Sequence, residues 1–331
     1  MKILYVMATN GGIGGLEQHT LQLCNGLAQQ HEIHLIADVS YADQLHANVT
    51  LHAVDFSRSR FNPFLIYQLI KKVQQIQPDI LHVQASKAAS LFAPWLNCFH
   101  CKKVVTVHGM KSNLKPFMAF DQIIAVSGKI KQKFPAHAPV QVIWNGITAA
   151  VDLKVAQTSQ QRICAIAIGR LETVKGFDVL IEAWQGIDAD LIIVGDGSQR
   201  AVLEQKIKQL NLSQNVQLLG FRSDIANLLA AADCMIISSL KEGGPITLAE
   251  ALLNQTPVLA TDVGMVPDFI DPTYICVANN VSALHQLIQT QLKPKAQMSS
   301  VFEPSFLKAK QSLTLEQMLN QTQRLYAELL I

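Results

Sequence analysis

The chain has 331 residues, 49% hydrophobic and 16% charged, with a formal net charge of +2. At roughly 100–200 residues per domain, this length predicts two domains, each able to bury a sizeable core. The apolar content excludes a disordered chain, the small net charge argues against a nucleic-acid partner, and no run approaches the ~18 apolar residues of a membrane-spanning helix.

Strands and helices alternate from the start. Lys2–Ala8 is an aliphatic run that stops at glycines, which predicts a first strand rather than a signal peptide and places the chain in the cytoplasm. A Gly-rich loop, residues 10–15, follows, and Leu16, Thr20, Leu23 and Leu27 then recur at helical spacing. Further strands are predicted at Glu32–Ala37, Asp79–Val83, Lys103–Val107, Asp121–Val126 and Val140–Trp144, with helices over Pro63–Ile76 and Ala85–Leu96. Val151–Gln161 is polar and aperiodic and is expected to be a linker. The pattern then restarts, with strands at Ile163–Ile168, Asp190–Val194, Val216–Leu219, Cys234–Ser238 and Pro257–Ala260, a helix from Gly176 and another over Pro245–Leu253. Near-continuous apolar strands separated by helices predict an α/β fold of two doubly wound parallel-sheet domains. Ligands of such sheets bind beyond the carboxyl ends of the strands, so the loops after strands are the ones to read for chemistry.

Four such loops stand out. Gly11, Gly12, Gly14 and Gly15 let backbone amides approach an anion at a helix N-terminus, although a tight turn alone would also use glycine. Arg170 and Lys175 share the loop that starts at Gly169; two cations at one strand end suit a diphosphate, or simply a solvated basic loop. In the third loop, Glu242 precedes Gly243, Gly244 and Pro245, and the amides of Ile246 and Thr247 open a helix that carries Glu250. A carboxylate inside that helix suits vicinal hydroxyls, as on a ribose. Last, His108 directly follows a buried-type strand, where it can donate to a ligand oxygen.

Six cysteines, mostly isolated, fit reduced core residues. Cys98 and Cys101 form a lone CxxC, redox-active or half of a zinc site in principle, but no second pair completes such a site. Asp188 and Asp190 form a DxD of the kind that holds a divalent metal elsewhere, but Asp190 opens a strand at its amino end, away from the loops above.

Glu242 and Glu250 have the form E-x7-E. With the GRLxxxKG segment 169–176, the glycines of 11–15, His108-Gly109 and Trp144-Asn-Gly-Ile147, the chain resembles the retaining glycosyltransferases of family 4, the group 1 transferases of GT-B fold. Thr148 and the segment Val263–Pro267 depart from the family's usual pattern. The resemblance implies an acceptor domain over 1–150, a nucleotide-sugar domain over 151–311, and a closing helix within 312–331 that returns to the first domain. It implies transfer of a hexose or N-acetylhexosamine from a nucleotide-sugar, commonly a UDP-sugar, to a glycan or lipid-linked acceptor, with retention and without a metal or other cofactor. Retention could proceed through a covalent intermediate or by front-face attack, the latter favoured because no nucleophile stands at a matched position. Arg170 and Lys175 would hold the donor diphosphate. Glu242, Gly243 and Gly244 would meet the donor sugar, together with His108. Ile246, Thr247 and Leu248 would lie at the phosphates and Glu250 at the ribose. Phe221 would lie against the base, with Gly15 and Gly169 beside the diphosphate. Gly11, Gly12, Gly14 and Asn145 would face the acceptor. A nucleotide-dependent dehydrogenase would also use the first glycine loop, but would leave Arg170, Lys175 and the two glutamates idle. A non-catalytic sugar-binding protein would need no diphosphate grip.

Charge is unevenly spread. Residues 1–150 hold 13 Lys and Arg against 7 acids, and nine of the ten histidines. Residues 102–133 alone hold seven Lys, interleaved with Leu114, Phe117, Met118 and Phe120 and followed by Phe134. Lysines with aromatic neighbours suit an anionic membrane surface, so peripheral attachment through this segment is expected, against the plainer reading of a solvated Lys face over core aromatics.

Overall fold

The computed structural model describes residues 1–12, 14–148 and 162–331. The expected linker Val151–Gln161 lies outside them. The chain forms two compact units: Met1–Asn145 with Leu315–Ile331, and Gly146–Thr314.

The first unit contains seven strands: β1 (Lys2–Met7), β2 (Glu32–Ala37), β3 (Val49–Ala53), β4 (Ile80–Gln84), β5 (Lys102–Val107), β6 (Gln122–Ala125) and β7 (Val140–Val142). Their order is β3-β2-β1-β4-β5-β6-β7, parallel throughout. The direction of winding reverses between β1 and β4. Ile3, Leu4, Tyr5 and Val6 on β1 and Ile80, Leu81 and Val83 on β4 are buried, because helices cover both faces of the sheet. One core contains Leu65, Leu69, Val73 and Ile76 of the Pro63–Ile76 helix. The other contains Leu23 and Leu27 of the Gly15–Leu27 helix with Met318, Leu325 and Tyr326 of the Leu315–Leu330 helix.

The second unit has β8 (Cys164–Ile168), β9 (Asp190–Val194), β10 (Val216–Gly220), β11 (Cys234–Ile237), β12 (Val258–Thr261) and β13 (Ile275–Cys276), in the order β10-β9-β8-β11-β12-β13, again parallel. Here the winding reverses between β8 and β11. The protein is thus an α/β protein of two Rossmann-like sheets.

Several predicted elements change at their ends or in kind. The strand β3 was not expected; its sequence VTLHA carries a His and a Thr at the sheet edge and lacks a continuous aliphatic run. The expected helix over Ala85–Leu96 ends at Phe92, and a 3-10 segment Ala93–Cys98 takes over at Pro94, whose ring cannot continue an α-helix. The helix expected over Pro245–Leu253 begins at Ile246, with Pro245 extended at its N-cap.

Candidate functional site

In the second unit, the loops that follow β8 and β11 flank the point where the winding reverses, where doubly wound sheets bind ligands. The β8 loop passes through a 3-10 turn, Thr173–Lys175, and Gly176 in a left-handed conformation opens the Phe177–Ala183 helix. Lys175 Nζ ion-pairs with Glu242 Oε1 of the β11 loop at 2.5 Å, each side chain being largely buried. The buried Ser239 donates its hydroxyl to the same Glu242 oxygen at 3.1 Å. Ser238 Oγ donates to the Lys175 carbonyl at 2.9 Å, which ties the two loops together a second time.

Glu250 lies in the Ile246–Leu253 helix, where burial raises its carboxyl above the usual range and the charge of Lys175 works against that rise. Lys175 is therefore the cation common to both glutamates. A left-handed Gly264 brings its backbone so close to Gly243 that a β-carbon there would sit 2.5 Å from the Gly243 carbonyl oxygen. The chain can pack this tightly beside Glu242 only without a side chain at 264.

Other expected residues sit apart from this cluster. Arg170 is exposed, and among the described residues it forms no ion pair; Glu172 is the charge that senses it. The loop therefore presents one paired and one unpaired cation rather than two equivalent ones. Phe221, after β10, is 80% exposed, an open platform rather than part of the packed cluster. Leu248 is fully buried, while Ile246 and Thr247 remain partly exposed at the helix start. At the opposite end of β9, Arg162 ion-pairs with Asp188 at 2.7 Å and Asp190 at 3.6 Å, so the DxD carboxylates are bound to a guanidinium.

In the first unit, Gly11 and Gly12 both adopt positive φ after β1, and Gly14 is the N-cap of the Gly15–Leu27 helix. The Gly14 amide donates to Glu17 Oε2 at 3.0 Å. The amide expected to face an anion is thus capped by a carboxylate of its own helix, and Gly12 offers its carbonyl to the Tyr41 hydroxyl at 3.1 Å.

His108 belongs to a polar chain that sequence reasoning did not foresee. Its Nε2 lies 2.7 Å from Gln84 Oε1 at the end of β4. A carboxamide oxygen only accepts, so Nε2–H donates and Nδ1 is left as an acceptor. The expectation that His108 donates to a ligand oxygen is thereby inverted: a ligand hydroxyl would donate to His108. Gln84 Nε2 in turn donates to His82 Nε2 at 3.3 Å, and Thr106 Oγ1 reaches the same nitrogen at 2.7 Å. His82 Nδ1 then meets the Tyr326 hydroxyl, which is 2.9 Å from the Tyr5 hydroxyl. Burial lowers the pKa of His82 and His108 well below the ordinary value, so both rings are neutral. His19 stacks edge-on against His108 with ring centroids 4.7 Å apart; burial pushes it down to about 4, and the buried Asn145 interacts with it. Spacing gave no hint of this chain, because Tyr326 and His82 are 244 positions apart.

The lysine segment also differs from expectation. Phe117, Phe120 and Phe134 are buried in the core, and Leu114 and Met118 pack against it. Lys111, Lys115, Lys131 and Lys133 are exposed, and Lys103 lies 3.8 Å from Asp121. The segment presents cations without aromatic companions.

Comparison with known proteins agrees with this architecture. The family described as glycosyl transferases group 1 matches residues 152–301, and Glycosyltransferase Family 4 matches residues 13–151. Among curated relatives, the N-acetyl-alpha-D-glucosaminyl L-malate synthase of Bacillus anthracis is 26% identical over 87% of this chain and 87% of its own. The lipopolysaccharide core biosynthesis glycosyltransferase LpsE of Rhizobium meliloti is 24% identical over 76% of each. Among solved structures, Anabaena HepE in complex with UDP shares the fold with a TM-score of 0.83 at 19% identity, covering 99% of this chain and all of that one. The two families meet end to end across most of the sequence, and the chain belongs to the family 4, group 1 glycosyltransferases of GT-B fold.

Proposed function

We propose that the protein moves a hexose or N-acetylhexosamine from a nucleotide-sugar, a UDP-sugar by preference, to a glycan or lipid-linked acceptor, with retention of anomeric configuration. The observation that carries this reading is the Lys175–Glu242 pair at the winding reversal of the second unit, with Glu250 sensing the same lysine. Lys175, ion-paired with Glu242 and within the field of Glu250, is placed to exchange a protein anion for a donor diphosphate. Arg170, already unpaired, supplies the second charge. Glu242, freed in part, meets sugar hydroxyls beside Gly243 and Gly244, and Glu250 takes the ribose. The amides of Ile246 and Thr247 receive phosphate oxygens at the helix start. Phe221 offers an exposed ring to the base, and Gly169 approaches the diphosphate. In front-face transfer, the anomeric carbon–oxygen bond to the diphosphate breaks. The acceptor oxygen then bonds to that carbon on the same face, and its proton passes to the departing phosphate oxygen. The protein's part is charge stabilisation and positioning. In the first unit, His108 accepts a hydrogen bond from a substrate hydroxyl, while Gly11, Gly12, Gly14 and Asn145 border the acceptor.

UDP among the ligands of HepE supports the choice of base, and the relatives acting in lipopolysaccharide core biosynthesis support an acceptor of that kind. The decisive experiment is a nucleotide-sugar screen read by thermal stabilisation and followed by NMR of the product's anomeric configuration. A bound ligand at 100 times its dissociation constant should add about 2.7 kcal/mol. An inverted product overturns retention, and stabilisation by no nucleotide-sugar overturns the donor reading. Transfer should persist in excess chelator, because cations rather than a carboxylate pair face the diphosphate; loss restored by Mg or Mn ions overturns metal independence.

A further inference from the structure

The exposed large apolar side chains of the first unit include one cluster, apart from Val39, Trp95, Leu330 and Ile331. Three aromatic side chains fall within seven positions: Phe61 and Phe64, each 76% exposed, and Tyr67, 66% exposed. Single exposed apolar residues are ordinary on a protein surface, whereas a contiguous aromatic stripe is not. Phe64, Tyr67 and Lys71, three and four residues apart, share the face of the Pro63–Ile76 helix opposite the buried Leu65, Leu69, Val73 and Ile76, and Phe61 lies in the loop just before it. The stripe is also firmly held. Asn62 Oδ1 accepts from the Leu65 amide at 3.1 Å as the helix cap, and the Asn62 amide donates to the Ser59 carbonyl at 2.9 Å. The buried Phe56 anchors the loop, and Lys87 donates to its carbonyl at 2.6 Å.

The charge around the stripe is mainly positive, with Asp55 at its edge pairing with Arg58 at 4.0 Å. From Phe56 to Pro78 there are four basic residues, Arg58, Arg60, Lys71 and Lys72, and no acid. Arg60 lies 5.1 Å from the Phe61 ring centroid. Aromatic rings that seat at the boundary of headgroup and acyl chain, rimmed by cations that stay with the headgroups, are the pattern of an interfacial anchor.

We propose that residues 58–71 dock the first unit on an anionic bilayer surface. Phe61, Phe64 and Tyr67 enter the interfacial layer, and Arg58, Arg60 and Lys71 meet anionic headgroups. The loop follows β3 in an all-parallel sheet, so it lies on the same carboxyl edge as Gly11, Gly12 and His108. A bilayer held at that edge presents a membrane-embedded acceptor to those residues. The docking itself stands without the transfer reaction. The lysines of 102–133 are bystanders, because their aromatic neighbours face the core.

The test is co-sedimentation of the full chain with vesicles of phosphatidylcholine alone and of equal phosphatidylcholine and phosphatidylglycerol. The wild type should pellet with the anionic vesicles, and less so as salt rises. Phe61→Ser, Phe64→Ser and Tyr67→Ser together, and separately Arg58→Glu with Arg60→Glu, should each weaken partitioning about tenfold or more. Lys111→Glu with Lys115→Glu and Lys133→Glu should retain most of it. All these positions are exposed, so melting temperatures and any stabilisation by UDP should be unchanged; Phe64→Asp alone serves if the triple variant fails to fold. Wild type left in the supernatant with anionic vesicles at low salt overturns the proposal. So does undiminished binding by the aromatic variant, or loss confined to the 111/115/133 variant. Absent UDP stabilisation in the wild type would count against the donor reading and leave the vesicle result to judge the docking face.

Discussion

Lys175 and Glu242 hold each other in a largely buried contact, so removing either leaves a charge without its counterpart. Lys175→Ala should lower turnover by about 10²–10³ and also lower the melting temperature, whereas Arg170→Ala, from an exposed position, should lower turnover without the stability loss. Glu250→Ala should mainly raise the nucleotide dissociation constant. Steady-state kinetics beside thermal melts separate the three, and equal kinetics for all would remove the site assignment. The histidines of the first unit give a pH prediction. His19, His82 and His108 all have folded pKa values below the ordinary 6.5, His19 at about 4. The unfolded chain therefore binds more protons than the folded one in this range. Stability should be full above about pH 6.5 and fall as acid is added, by up to about 1.4 kcal/mol per pH unit for each group. Melts from about pH 7 to pH 5 should show the decline, and His19→Leu should make it shallower by one group's share. A flat profile in the wild type would mean that the rings are solvated.

At the level of elements, close backbone approach decides where glycine is required. A β-carbon on Gly195, at φ 138°, would sit 1.9 Å from the Gly169 carbonyl oxygen, whereas one on Gly186, at φ 77°, would meet nothing within 4 Å. Gly195→Ala should thus cost about 2–4 kcal/mol by displacing the β8 loop, and Gly186→Ala only the ~1–2 kcal/mol of left-handed strain. Denaturant titrations compare the two directly, and equal costs would show that the crowded site relaxes. The elements that were legible in sequence are those with local signals. Ile-Leu-Tyr-Val in β1 and Leu-Ile-Ile-Val in β9 announce strands buried on both faces, and Asn62-Pro63 announces a helix start. The edge strand β3 gave no such run. E-x7-E and the glycines at strand ends were readable as a candidate site for the same reason. That Lys175 would pair with Glu242, or that Gln84 would set the proton of His108, depends on residues brought together by the sheets, and neighbours in sequence carry no trace of it.

Across the whole molecule, no helix among the described residues is long and apolar enough to cross a membrane. The chain leaves the first unit after Asn145 and returns to it at Leu315. The returning helix buries Met318, Leu325 and Tyr326 and closes the hydrogen bonds of Tyr5 and His82. A chain ended at Ser312 should therefore lose the cooperative unfolding of the first unit while the sheet of the second persists, as limited proteolysis with mass spectrometry would show. Retention of both protease-resistant units would refute this dependence. Tyr326→Phe is the milder version, expected to cost about 1–3 kcal/mol by leaving His82 Nδ1 unpaired. The same return sets an order of events on the ribosome. Tyr326 is made about 180 residues after Asn145, which at ~5–20 residues per second is a wait of roughly 10–40 seconds. Through that interval the half of the enzyme synthesised first cannot finish folding, whereas the half synthesised second is complete at Thr314, about 12 residues before Tyr326, so nascent first-unit strands wait longest and are the part of this polypeptide most exposed to chaperones.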